Sequence, residues 1–193
     1  MLSLIILAAG KSTRMLGRNK LLERIHGRPM IRWVVEVALK SKADEVIVVL
    51  GWEANLIREV LADLSCHLVV NHDYEHGQSS SLKIGLREVD ERSRAILVLP
   101  GDMALIDSRS INSVIDVYNA EGGTLVIAAH GGKHGHPILL DKRLFPEIER
   151  IEEESYGLKA VVKKHEPEIR LVETGTGNVL KDIDTPYDLR EIS

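Results

Sequence analysis

Apolar residues along the chain follow two rhythms. Short, nearly continuous runs occur at Leu2–Ala8, Val46–Leu50, Leu68–Val70, Ala95–Leu99 and Thr124–Ala129. Such runs predict strands buried on both faces, as in a parallel sheet. Between them the spacing is helical. Met30 to Lys40 reads as a helix with Pro29 in its first turn, Leu56, Ile57, Val60, Leu61 and Leu64 share one face of a second, and Ile111, Val114, Ile115 and Tyr118 one face of a third. This alternation predicts an α/β fold in three layers, a mostly parallel sheet between helices with right-handed crossovers. The loop-rich stretch His130–Pro137 is too short to divide domains and no repeat or low-complexity segment occurs, so one domain over residues 1–193 is expected. Ligands of such sheets bind at the carboxyl ends of the strands, so the segments that follow the runs are the candidates for chemistry.

After the first run, Lys11, Arg14, Arg18 and Lys20 precede the first carboxylate, Glu23. Small residues Ala8, Ala9 and Gly10 let backbone N–H groups approach a ligand and the cations neutralise it, a combination suited to a polyphosphate. Two nucleotide motifs are excluded: a P-loop needs glycine where Ile5 stands, and Gly10 has no glycine partner two residues away. After the fourth run, Pro100-Gly101-Asp102 aims a carboxylate at the same crevice. Asp182 and Asp184 flank Ile183 and point one way if the segment is extended. Asp102 with Asp184 would suffice for Mg²⁺, which takes one or two carboxylates plus phosphate oxygens and water. The choice between Asp182 and Asp184 stays open, as does a role for Asp184 as cap of a helix starting near Pro186. Gly77-Gln78-Ser79-Ser80-Ser81 precedes another helix, with Gln78 placed for a base edge and the three hydroxyls for ribose or an acceptor phosphate; Lys83 is either part of this site or a surface residue. His130, His134 and His136 with Asp141 are spaced too loosely for a convincing zinc site, and His136 fits better as a polar wall of the acceptor pocket. Trp33 and Trp52 read as packing residues.

Composition narrows the function classes. With 44% hydrophobic and 28% charged residues the chain carries enough apolar material for a sizeable core. A net charge of −4, from 25 Lys and Arg against 29 Asp and Glu, removes a global basic field for nucleic acid. Cys66 is the one cysteine, so no internal disulfide or thiolate cluster forms, and it reads as a packing residue. The opening apolar run is too short to span a bilayer, and its basic residues follow it rather than precede it as in a signal peptide, so a cytoplasmic protein without a membrane partner is expected.

Five segments together resemble the nucleotidyltransferases of the molybdenum cofactor cytidylyltransferase type. They are Leu-Ala-Ala-Gly-x-Ser-x-Arg-Met at residues 7–15 with Lys20 beyond it, the segment Asn71–Leu86, Pro100–Met103, Gly135–Leu139, and the closing Asp-x-Asp-Thr-Pro at 182–186. The resemblance implies a Rossmann-like fold of the glycosyltransferase-A type and transfer of CMP from CTP to a phosphorylated acceptor of the molybdopterin kind, with Mg²⁺, pyrophosphate release and a possible molybdoenzyme partner. It implies Arg14, Lys20 and Asp102 as catalytic residues and Asp102 and Asp184 as metal ligands. Leu7, Ala8, Ala9, Gly10, Lys11, Ser12, Arg14 and Lys20 would hold the nucleotide, with Gln78, Ser79, Ser80, Ser81, Gly101 and His136 completing the binding set. Ala104 stands where the family usually has proline, and Lys159 where arginine is common, which replaces a bidentate contact by a point charge. Related guanylyltransferases carry Gly at the place of Ala9, so CTP is expected over GTP. Transfer to another small phosphate (sugar phosphate, polyol phosphate or phospholactate) and a non-catalytic cofactor-delivery role are the alternatives.

Overall fold

The run that opens the chain becomes the strand around which the sheet is ordered. In the computed structural model, which describes residues 1–12 and 17–191, β1 is Leu2–Ala8. A two-strand ribbon, β2 (Arg24–Ile25) and β3 (Arg28–Pro29), leads into α1 (Met30–Leu39), then β4 (Glu45–Leu50), α2 (Ala54–Leu61), β5 (His67–Val70), α3 (Gln78–Arg87) and β6 (Ala95–Pro100). The second half holds α4 (Ser108–Glu121), β7 (Leu125–His130), β8 (Lys133–Asp141), α5 (Phe145–Ile148), α6 (Gly157–Lys164), β9 (Ile169–Glu173) and α7 (Pro186–Glu191). The seven-stranded sheet runs β5-β4-β1-β6-β8-β7-β9. Only β8 runs antiparallel to its neighbours, while β1 pairs in parallel with both β4 and β6.

Alternate residues of each strand enter opposite faces, as the two-residue period requires. Leu4 and Ile6 of β1, Val48 of β4 and Leu97 of β6 pack with Met30, Ile31 and Val34 of α1 and Val114 of α4. Ile5, Val49 and Val98 pack on the other face with Leu82 of α3, Ile148 of α5 and Val161 of α6. Both layers of helices are thus specified by the same continuous runs. Trp33 donates its indole N–H to the Ile25 carbonyl at 2.9 Å and packs against the first cluster, as does half-buried Cys66, whose thiol pKa burial pushes up. Among the described residues no helix is long and apolar enough to cross a membrane.

Three expectations change. The stretch His130–Pro137 is not a loop but a Gly131-Gly132 turn followed by β8, in which Pro137 falls within the register shift between the Ile127–Ile138 and Ala129–His134 pairs. There a missing N–H costs no ladder bond. β9 lies at the sheet edge as Ile-Arg-Leu-Val-Glu, too short and too polar on its exposed side to read as a buried run. Pro29 sits just before α1 rather than inside its first turn.

Strand order reverses beside β1, because the chain builds outward to β4 and β5 and then returns to place β6 on the other flank. The crevice between the carboxyl ends of β1 and β6 is therefore the switch point where ligands of such sheets bind. Two close approaches complete it. The Gly101 N–H donates to the Leu7 carbonyl at 2.9 Å, drawing the end of β6 against β1. Residues 177–180 cross β8 directly over Gly135, where a Cβ would come within 2.3 Å of the Val179 carbonyl oxygen. That crossing brings Ile183 to donate its N–H to the Asp102 carbonyl at 3.2 Å.

Candidate active site

At this switch point lies a cleft of about 540 Å³, walled by residues Leu7–Ser12, Lys20, Gln78, Ser81, Asp102 and Asp184. Lys20 is its electrostatic centre. Its Nζ donates to Asp102 Oδ2 at 2.5 Å and to Asp184 Oδ1 at 2.6 Å, joining groups 82 and 164 residues away. Burial alone would lower the Lys20 pKa, but the two carboxylates outweigh it and raise it, so the ammonium stays charged. Ser12 Oγ accepts from the Lys20 N–H at 3.2 Å. Buried Asn19 caps the turn that carries Lys20, its Oδ1 accepting from the Leu21 N–H at 3.1 Å. Asn19 escaped the sequence reading, although an Asn directly before a helical turn is a recognisable cap signal.

Of the two closing acids, Asp184 is the one that meets Lys20. At the start of α7, Thr185 Oγ1 accepts from the Asp188 N–H at 3.2 Å and Asp188 reaches back to accept from the N–H groups of Asp184 and Thr185 and from the Thr185 hydroxyl, while the Asp184 carboxylate lines the cleft. Asp102 Oδ1 is buried without a partner among the described residues, while Oδ2 and the Asp184 carboxylate converge on one cation. A carboxylate with an orphaned oxygen beside a second acid, both residues lining the 540 Å³ cleft, suits a divalent cation such as Mg²⁺.

The other candidates divide between this cleft and its neighbour. The Ala9 carbonyl accepts from the Trp52 N–H at 3.1 Å, and its methyl packs against Gly51, where a Cβ would come within 2.7 Å of it. Lys11 pairs with Glu75 across the cleft mouth. Arg18 stands in solvent, 3.7 Å from Glu23, and Arg14 lies outside the described residues. Gly101 lines neither cavity and instead ties the end of β6 to Leu7 through its N–H. The serine hydroxyls are engaged within the protein: Asn71 Nδ2 donates to Ser80 Oγ at 2.8 Å and Ser81 Oγ at 3.0 Å, and Ser79 Oγ donates to Glu153 at 2.6 Å. Ser81 still lines the cleft, Ser79 lines a second cavity of about 250 Å³, and Ser80 lines neither. The cavities share Leu7, Gln78 and Pro100.

His136 and Lys159 line the second cavity. Burial lowers the His136 pKa against the opposing pull of a Val98 backbone hydrogen bond, Asp102 and Asp182, so the ring is neutral at neutral pH. Zinc finds no support at the histidines: Asp141 is taken by the Tyr118 hydroxyl at 2.6 Å and by Arg143, and no group of three or more candidate ligands occurs among the described residues. Lys83 belongs to neither cavity and donates to the Ile151 carbonyl at 3.0 Å. Glu153 leaves no sequence signal because its partner Ser79 lies 74 residues away, and Asn71, which opens the segment Asn71–Leu86, gains its role only when the chain folds back to bring it to Ser80 and Ser81.

Comparison with known proteins bears on the fold and the family. Rv0371c from Mycobacterium tuberculosis is 26% identical, superposes with a TM-score of 0.84 and covers 98% of this chain and 96% of its own. A second structure of that protein, a complex with manganese, gives a TM-score of 0.79 at 26% identity over 99% and 97% of the two chains. A nucleotidyl transferase from Methanothermobacter shares the fold, with a TM-score of 0.86 at 23% identity over 100% and 95% of the chains. The bifunctional protein GlmU of Desulfotalea psychrophila is 30% identical over 127 residues, 65% of this chain but 37% of that protein, so the chain corresponds to about a third of this relative's length. The sequence profile of the MobA-like NTP transferase domain matches residues 4–169, and with the cleft, the lysine between two acids and the expected Rossmann-like nucleotidyltransferase fold in place, the chain belongs to that family.

Proposed function

We propose that this nucleotidyltransferase moves CMP from CTP to a phosphorylated small molecule of the molybdopterin kind, releasing pyrophosphate in the cytoplasm for the benefit of a partner molybdoenzyme. The observation that carries the reading is the Lys20 ammonium held between Asp102 and Asp184 at the switch point. An acceptor phosphate oxygen forms the new bond to the α-phosphorus while the bond to the pyrophosphate oxygen breaks, and the electron pair leaves with pyrophosphate. Such a phosphate is already ionised at neutral pH, so no general base is required, and the protein's task is positioning and charge stabilisation. The N–H groups of residues 8–12 and Lys20 hold the triphosphate, with Lys11 exchanging Glu75 for a phosphate oxygen; Arg14 joins them in this reading. Gln78 and Ser81 face the nucleoside, and His136 with Lys159 borders the acceptor. Asp102 and Asp184 would hold Mg²⁺, which supplies neutralisation of the phosphate oxygens when bound. Pyrophosphate release measured with each NTP and a panel of phosphorylated acceptors tests the proposal. Turnover with CTP and a molybdopterin acceptor supports it, use of another phosphate corrects the acceptor, and nucleotide binding without release replaces the enzyme by a delivery protein.

Base choice is a separate expectation. The Trp52 bond and the Gly51 contact hold the Ala9 backbone in place at the cleft wall, so the wall cannot easily yield to a purine. Overpacking by a methyl group costs about 1–3 kcal/mol, enough for roughly 10- to 200-fold discrimination. CTP is therefore expected over GTP, and Ala9→Gly is expected to shift kcat/KM toward GTP. Equal use of both by the wild type, or no shift in the variant, places base reading elsewhere.

A further inference from the structure

Helix α3 begins at the cleft with Gln78, yet its own N-cap position is Gly77, which has no side chain to satisfy the first amides. A residue from a distant segment does so. Glu153 Oε2 accepts from the Ser79 N–H at 2.9 Å and from Ser79 Oγ at 2.6 Å, across 74 residues of sequence. The space around this pair admits nothing larger: a Cβ on Gly77 would come within 2.4 Å of Glu153 Cγ, and one on Gly157 within 2.4 Å of Ser79 Oγ. Although burial would raise the Glu153 pKa, hydrogen bonds from Ser79 and from the Gln78 backbone lower it, so the cap is an anion at the positive end of a helix. Glu153 borders the second cavity and not the first, whereas Gln78 borders both.

We propose that Glu153 is a positioning residue that seats the amino end of α3, and with it Gln78, against the nucleotide, so that nucleotide selectivity depends on a side chain outside the nucleotide cleft. This rests on the nucleotidyltransferase reading above. Removing the carboxylate frees the first turn of α3 to shift, and Gln78, the residue between the two cavities, loses its fixed distance to the base. The helix is held independently by Asn71 on Ser80 and Ser81 and by Lys83 on Ile151, so the fold survives the loss.

The test is pyrophosphate release by the full chain with CTP and GTP, read as kcat and KM for each, beside thermal unfolding. E153A is expected to raise KM for the preferred NTP about tenfold, to leave kcat within about threefold, and to flatten the preference between the two NTPs by about tenfold, as befits loss of a charged hydrogen-bond pair. E153Q, whose amide oxygen still accepts from Ser79, is expected to restore most of the preference. K83M cuts a separate hydrogen bond between α3 and the 151–157 segment, and is expected to lower Tm without altering the preference. S79A keeps the carboxylate but removes one donor; its smaller shift in the same direction carries the test if E153A does not fold. An active wild type whose E153A variant keeps its KM and preference overturns the inference alone, as does K83M matching E153A. A wild type that releases no pyrophosphate from any NTP overturns the reading beneath it as well.

Discussion

Replacing Lys20 by Ala is expected to lower kcat by about 10²-fold or more, equivalent to at least about 2.7 kcal/mol of transition-state stabilisation. The reason is position as much as charge. Lys20 is the cation on which the carboxylates from β6 and from the closing segment converge, and its side chain is only 16% exposed. In such a partly buried setting its field would act on a bound triphosphate, as proposed above, with reduced screening. An Asn19 cap and the Ser12 hydroxyl fix its backbone, so no neighbouring lysine can take its place. Single-turnover measurement with saturating NTP separates the chemical step from binding, and a Lys20→Ala enzyme that turns over at the wild-type rate removes Lys20 from the mechanism. Lys20→Arg is expected to recover only part of the loss, because a larger planar guanidinium does not reproduce the compact point charge of an ammonium at this position.

Asp102→Asn is expected to reduce turnover by at least about 10³-fold, the scale of losing an anion that orients Lys20 and, under the proposed function, would hold Mg²⁺. Its effect on stability should be slight. Asp102 Oδ1 has no hydrogen-bond partner among the described residues, and Lys20 retains Asp184 as a counter-ion, so an uncharged isostere leaves no new unpaired charge. Thermal unfolding and pyrophosphate release measured on one preparation check both halves. A variant that melts much earlier while keeping its activity makes Asp102 a structural residue.

Much of the framework was legible in the sequence because parallel strands buried on both faces leave no room for polar residues. β1, β4, β6 and β7 therefore announced themselves as apolar runs, β5 at the half-exposed sheet edge by its Leu-Val-Val stretch, and the helices between them by their spacing. From the run ends alone, Lys20 and Asp102 were placed in one crevice. β8 escaped because it carries Lys, His, Gly and Pro near the crevice, where a strand's outer end is half solvated and its composition resembles a turn. The second acid was ambiguous for a different reason. Asp182 and Asp184 flank Ile183 and are equivalent by type, and only the folded closing segment brings Asp184 to Lys20, with Thr185 and Asp188 bonded to each other at the start of α7.

By itself, then, the sequence determined which layers form and which loops gather at the switch point, because local periodicity and chain connectivity suffice for both. Tertiary structure alone decided which hydroxyls remain available and which acid meets the lysine. It also decided that Glu153 caps a helix 74 residues before it, since such pairings depend on how separate segments cross and leave no periodic trace in either.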